Sequence, residues 1–181
     1  AFFVNGKTYQ SLQPRFSGRL LLTDKMSVKL AFSRMDQYIH LLTNSTIGLP
    51  NDIWVPATAN TPPQTSYQTA LGLAYNLKDK YFFTLEGFYK NMSGLIDFKD
   101  GASLTEKGSN WEDAVEIGGI GKAYGMEFLA RKEMGKLKGW IGYTLSWTNR
   151  QFDNINNGEV YPYTYDRRHD ISLVLMYKLN E

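Results

Sequence analysis

The chain contains no cysteine among its 181 residues, which excludes a disulfide scaffold and a cysteine-ligated zinc site but leaves the compartment open. No apolar run approaches the roughly 20 residues a membrane helix needs, and mean hydropathy is −0.38. Charge of one sign is also lacking: 20 Lys and Arg face 18 Asp and Glu, for a net charge of +2. With no basic cluster, a nucleic-acid partner is not expected. A helical period is missing throughout, and its one short candidate, KEMGKL, carries a glycine. The opening residues AFFVNGKTYQ lack the basic start and long apolar stretch of a secretory signal. The expectation is that a leader has been removed or that the chain starts partway through something larger. None of these absences speaks against a membrane β-barrel, whose strands turn apolar groups outward only at every second position.

Aromatic residues and strict alternation are abundant instead. There are 12 Tyr, 10 Phe and 4 Trp. Residues 137–149, LKGWIGYTLSWTN, show the pattern clearly. Leu137, Gly139, Ile141, Tyr143, Leu145 and Trp147 fall on one side; Lys138, Trp140, Gly142, Thr144, Ser146 and Thr148 fall on the other. Successive side chains of a strand point to opposite faces, so this spacing predicts a ribbon with one oily face and one that tolerates water.

The same period recurs along the chain. Phe16, Gly18, Leu20 and Leu22 oppose Arg15, Ser17, Arg19 and Thr23. Val28, Leu30 and Phe32 oppose Lys29, Ala31 and Ser33, and the more polar continuation RMDQYIHLL is expected to project beyond the sheet. Leu71, Leu73, Tyr75 and Leu77 oppose Ala70, Gly72, Ala74 and Asn76. Tyr81, Phe83, Leu85 and Tyr89 oppose Phe82, Thr84, Glu86, Phe88 and Lys90. Tyr124, Met126, Phe128 and Ala130 oppose Gly125, Glu127, Leu129 and Arg131, and Ile171, Leu173, Leu175, Tyr177 and Leu179 oppose Asp170, Ser172, Val174, Met176 and Lys178. About seven strands result, each of roughly 10 to 15 residues, long beside the usual five or six.

Asp24-Lys25, Lys78-Asp79-Lys80 and Met134-Gly135-Lys136 mark tight turns; residues 43–64, 97–121 and 151–165 mark long polar loops. In the first loop Asn44, Gly48, Pro50, Asn51, Pro56, Pro62 and Pro63 argue against a continuous helix or ladder. Near the start, Phe2 to Val4 read as a strand end and Asn5-Gly6 as a turn. Because tight turns and long loops alternate, the expected fold class is all-β, an antiparallel up-and-down meander of about seven long strands.

The composition of the two faces favours lipid over a packed core. The second face mixes Gly, Ala, Ser and Thr with Arg19, Glu86, Glu127, Arg131, Asp170 and Lys178, as a hydrated barrel lumen does. The oily face places Tyr75, Tyr81, Tyr89, Tyr124, Tyr143, Trp147 and Tyr177 mostly toward strand ends, where interfacial aromatic belts lie. The alternative is a soluble β-barrel or sandwich that binds a small ligand or a partner protein, with the oily face as core. A small closed barrel serving as a pore or enzyme is a third reading, and it requires an even strand count.

Several stretches resemble the barrel of TonB-dependent outer-membrane receptors, in particular the subgroup with a carboxypeptidase-regulatory-like extension. They are LQPRFSGRLLLTDKMSVKLAFSRMDQYIHLL, NDIWVPATANTPPQTSYQTALGLAYNL, GKAYGMEFLARKEMGKLKGWIGYTLSWT and YDRRHDISLVLMYKLN. The segments TPPQTSYQTALG and Tyr165-Asp166-Arg167-Arg168-His169-Asp170 are similar to motifs with which barrel strands of that family begin. The resemblance covers nearly everything from Leu12 onward. It implies part of a 22-stranded transmembrane barrel in the bacterial outer membrane, plugged by a separate domain. It further implies import of a scarce ligand (an iron chelate, cobalamin, a glycan or a peptide) with energy from the TonB complex. The implied partners are outer-membrane lipid, the plug and remaining strands, TonB acting through the plug, and a surface lipoprotein. No plug, energy-coupling peptide or terminal aromatic strand is recognisable in the sequence, so residues 1–181 are expected to be a portion of such a barrel.

Catalytic chemistry is not expected. Ser, His and Asp are present without a nucleophile elbow, and no phosphate-cradling Gly loop opens a helix. His40 and His169 read as rim histidines, and no cofactor or metal is implied. Asp97, Asp100, Asp113 and Glu116 have ligand chemistry for Ca²⁺ but read as a solvated loop. Arg167 and Arg168 read as ion pairs with Asp166 and Asp170. Trp54, Trp111 and Tyr161 lie in the long loops, where ligand-contacting aromatics concentrate; the alternative is that they order the loops by packing.

Overall fold

The computed structural model describes residues 2–4, 6–43, 52–102 and 110–179. It is all-β, with no α-helix among the described residues. A small hairpin, β1 (Phe2–Val4) with β2 (Lys7–Tyr9), precedes β3 (Arg15–Thr23) and β4 (Met26–Gln37). A second hairpin, β5 (Ile39–Thr43) with β6 (Asp52–Pro56), leads to β7 (Gln64–Leu77), β8 (Tyr81–Phe98), β9 (Val115–Lys132) and β10 (Leu137–Gln151). The two-residue β11 (Tyr161–Pro162) and then β12 (His169–Tyr177) end the series. The main sheet runs β3-β4-β7-β8-β9-β10, with β12 and β11 sharing the far edge of β10. All neighbours are antiparallel, so seven strands of 9 to 18 residues follow one another in chain order, as the alternation predicts.

The connections sort by end. The turns at 24–25, 78–80 and 133–136 all lie at one end of the sheet, and the three long connections lie at the other. Lys78 and Asp79 both take left-handed backbone angles (φ 54° and 51°), and the Asn76 amide nitrogen donates to the Asp79 carboxylate at 2.9 Å. Neighbouring turns are tied by backbone hydrogen bonds, Asn76 N to Lys25 O (2.8 Å), Glu133 N to Lys80 O (3.0 Å) and Lys178 N to Lys136 O (2.9 Å).

Two loop expectations are corrected. The segment 43–64 holds a ladder after all: Ile39–Thr43 pair with Asp52–Pro56, because the run from Asp52 to Val55 is free of proline and Pro56 falls at the last position. The expected polar loop 97–121 is shorter, because β8 continues to Phe98 and β9 begins at Val115. A bulge at Gly94, with φ +68°, lets the ladder continue past Ser93. Asn44, Gly48, Pro50 and Asn51 lie outside the described residues, as does Asn5; Gly6 of the first turn has φ +75°.

The ladder registers assemble the two faces. Leu71 lies opposite Leu30 and Gly87, and the same row continues to Met126 and Leu145. One face therefore gathers most of the leucines, phenylalanines and tyrosines of the seven strands, and they are exposed or half-buried. Leu71 is 57% exposed, Met126 51% and Leu173 59%. Among the described residues no second layer covers this face. The molecule exposes 12308 Å², against roughly 8,900 Å² expected for a compact monomer of this mass. Apart from Ala74, the buried apolar residues gather at the long-loop end.

Candidate functional site

The long-loop end is built on the tips of β8 and β9, which outrun their neighbours. Past the bulge their side chains serve two loops. Ile96 and Val115 face the β5–β6 hairpin and pack with Leu42 and Val55. Leu95 packs with Phe152 and Ile155 of the connection between β10 and β12. The β8–β9 arm thus acts as a post between two loop layers. The Phe152 ring lies so close to Gly119 that a Cβ there would come within 2.3 Å of it, so only glycine fits.

Polar bonds fasten these layers. Asp97 Oδ2 accepts from Arg150 Nη1 at 3.2 Å and from Tyr161 Oη at 3.0 Å. The Arg150 guanidinium also lies 3.5 Å from the centre of the Tyr163 ring. Burial, then the charge of Asp97 and the bond to it, push the Tyr161 phenol well above the usual tyrosine range. On the other side, Glu112 accepts from the Thr58 and Thr61 hydroxyls and the Asn60 amide, joining the first loop to the 3-10 turn Trp111–Ala114. These bonds, that from Thr58 foremost, hold the Glu112 carboxyl below the usual range. Tyr165 donates to Asp52 at 2.7 Å, joining the third loop to the first, and that bond raises its phenol.

His40, read from the sequence as a rim histidine, is instead fully buried, on β5 of the small hairpin. The Gln64 amide stands 2.9 Å from Nδ1, an arrangement that suits a neutral ring accepting from the amide. Desolvation lowers its pKa, and the Pro62 carbonyl opposes part of that effect. His169 instead bonds the Tyr143 hydroxyl at 2.8 Å on the exposed face.

The three aromatic candidates are not brought together. Trp54 stands exposed on β6. Trp111 packs against the cluster around Leu42 and Ile96. Tyr161 stacks on Phe152 at 6.5 Å while bonding Asp97. Arg168 pairs with Asp166 at 3.0 Å, and Arg167 more loosely with Asp170 at 3.9 Å. Asp166 also accepts from Thr148 N at 2.7 Å, standing in for a missing ladder carbonyl where β12 gives way to β11. Asp97 and Glu116 are ladder partners at the tips of β8 and β9, but no group of three or more acidic or histidine ligands lies among the described residues. Asp97, Arg150, Glu112 and Thr58 were not singled out as a network by sequence, since the bonded pairs are 53 and 54 residues apart.

The sheet itself presents a second functional surface. On the exposed face Phe16, Phe32, Thr69, Tyr89, Tyr124 and Trp147 form one cross-sheet row near the loop end. Tyr124 and Trp147 stack at 5.4 Å, and Arg168 lies 4.8 Å over the indole. Tyr75, Phe83, Tyr81 and Tyr177 mark the turn end. The band between is mostly aliphatic, with Phe128 and Tyr143 among its side chains. On the opposite face Glu86 stands directly against Glu127, a like-charge pair that hydration tolerates and a packed core does not. No helix is long and apolar enough to cross a membrane, which carries no information on crossing by strands. Comparison of the chain with protein-family models, curated proteins and solved structures found no match.

Proposed function

We propose that this chain forms part of the transmembrane barrel wall of a TonB-dependent outer-membrane receptor, which imports a scarce ligand with energy relayed through a plug domain. The observation that carries the reading is the uncovered apolar face, seven strands wide and bounded by aromatic side chains at both ends. Its height fits. Tyr67 to Leu77 on β7 spans about 33 Å along the strand at the usual rise, or about 25 Å at a barrel tilt near 40°. The stagger fits too. The first apolar residue of β3, Phe16, shares a row with Thr69, whereas Ile171 of β12 shares one with Leu73, four positions nearer the turns. A tilted barrel needs such a slip of the apolar band.

In this arrangement the short turns face the periplasm, the three loops face outside, and the Glu86 and Glu127 face lines the lumen. Both free edges, β3 and β12, run from the loop end to the turn end, so they cannot pair antiparallel with each other; further strands complete the wall. Ligand capture falls to the outer loops, with Trp54 the exposed aromatic among the three candidates. The chain itself performs no catalysis in this reading. Detergent dependence tests it: the protein stays monodisperse only in micelles or bilayers, and a monomer in plain buffer favours a soluble ligand-binding sheet.

A further inference from the structure

The turn end is electrically unlike the rest of the molecule. Residues 24–25, 78–80, 131–138 and 178 hold eight Lys and Arg against three Asp and Glu, while the whole chain has 20 against 18. Among the described residues the one ion pair at this end joins Arg131 to Glu133, at 2.8 Å. Among the described residues the remaining ammonium groups there have no carboxylate within pairing distance.

Directly beside these cations the exposed face has a trough. Gly139 and Ala130 supply almost no side chain at its floor, and Tyr81, Phe83, Ile141 and Leu175 wall it. Lys132 sits at its rim, in the same row as Tyr81 and Gly139. The Lys80 ammonium lies 5.7 Å over the Tyr81 ring, and Lys136, bonded to Lys178 through the backbone, directly precedes Leu137, which lines the trough. An apolar slot opening onto unpaired ammonium groups suits a molecule with a hydrocarbon tail and an anionic head.

We propose that this trough seats a phospholipid of the leaflet on the turn side, one acyl chain lying over Gly139 and Ala130 and the phosphate held by Lys132 and Lys136. The proposal rests on the lipid-facing reading of the sheet and adds a headgroup preference to it. Each cation near an anionic surface contributes roughly a fivefold preference.

The test uses the full chain in neutral maltoside micelles, given equal amounts of phosphatidylglycerol and phosphatidylcholine with identical acyl chains, and reads retained lipid by native mass spectrometry. Phosphatidylglycerol is expected to be retained at least about fivefold over phosphatidylcholine. Lys132→Gln with Lys136→Gln removes the preference, Ala130→Leu fills the trough and lowers retention of both lipids, and Lys90→Gln on the opposite face changes nothing. Glycerol phosphate, which has the head without the tail, does not compete. Equal retention of the two lipids, or loss of the preference on adding glycerol phosphate, overturns the headgroup site while leaving the lipid-facing sheet in place. A protein that retains neither lipid and is monomeric without detergent overturns both.

Discussion

Asp97 holds two loop elements with one carboxylate, and its partners show what its loss does. Arg150 and Asp97 are 13% and 21% exposed at the side chain, so the pair is mostly sheltered from water. Asp97→Ala leaves the guanidinium and the Tyr161 hydroxyl without their acceptor, at a cost of about 2–3 kcal/mol to the loop end. Tyr161→Phe keeps the stack on Phe152 and loses one bond, about 1 kcal/mol. Thermal unfolding of the two variants is expected to rank them in that order. Two groups lose stability in the same direction, toward acid. Glu112 has a depressed pKa, so its staple is in place above the ordinary carboxylate range and is lost as pH falls through the lowered value. His40 is held neutral by burial, so the unfolded ring takes up a proton that the folded one refuses, and the hairpin loses stability as pH drops below about 6.5. Hydrogen-exchange protection over residues 39–43 and 52–63, with rates corrected for the intrinsic pH dependence of amide exchange, is expected to fall between pH 7 and 5.5 in the native protein and to stay flat in His40→Gln.

Neighbouring residues on β4 separate the two faces of the sheet. Leu30 looks out from the aliphatic band, and Ala31 belongs to the polar side. In a bilayer, Leu30→Arg is expected to cost about 2–4 kcal/mol, the penalty for a cation near the midplane of a barrel's lipid face, while Ala31→Arg stays within about 0.5 kcal/mol. Urea titration of the bilayer-inserted protein measures both; equal costs contradict the assignment of faces. The strands were legible in the sequence because period two and turn residues agree along each of them. The β5–β6 hairpin was not, since its partners are separated by proline, glycine and asparagine that signal loop on their own. The tips of β8 and β9 were hidden for another reason. Asp97, Glu116, Gly118 and Gly119 read as loop, and only the loops packed against Leu95 and Ile96 make those tips ordered strand. Trp111 opens a 3-10 turn and Tyr161 lies on the two-residue strand β11, but whether such a ring faces a ligand or a neighbour depends on contacts tens of residues away, as with the 64 residues between Asp97 and Tyr161.

At the level of the whole molecule, a sheet with two open edges and an uncovered apolar face fits the proposed place in a barrel wall better than it fits a soluble fold. Water tolerates neither the unpaired edges nor a continuous apolar surface of this width. Outside the loop end the described residues bury almost nothing apolar, so on the proposed reading the sheet draws its stability from the lipid around it. The lack of native cysteine makes this testable one residue at a time. Single cysteines placed in turn at 141, 142, 143, 144, 145 and 146 of β10, in the membrane-inserted protein, report which medium each side chain meets. The account predicts a strict alternation: a charged, water-soluble maleimide labels 142, 144 and 146, while 141, 143 and 145 resist it and are quenched by spin-labelled lipid when tagged with a fluorophore. Labelling of the odd positions by the water-soluble reagent, or protection of the same positions without lipid quenching, contradicts it.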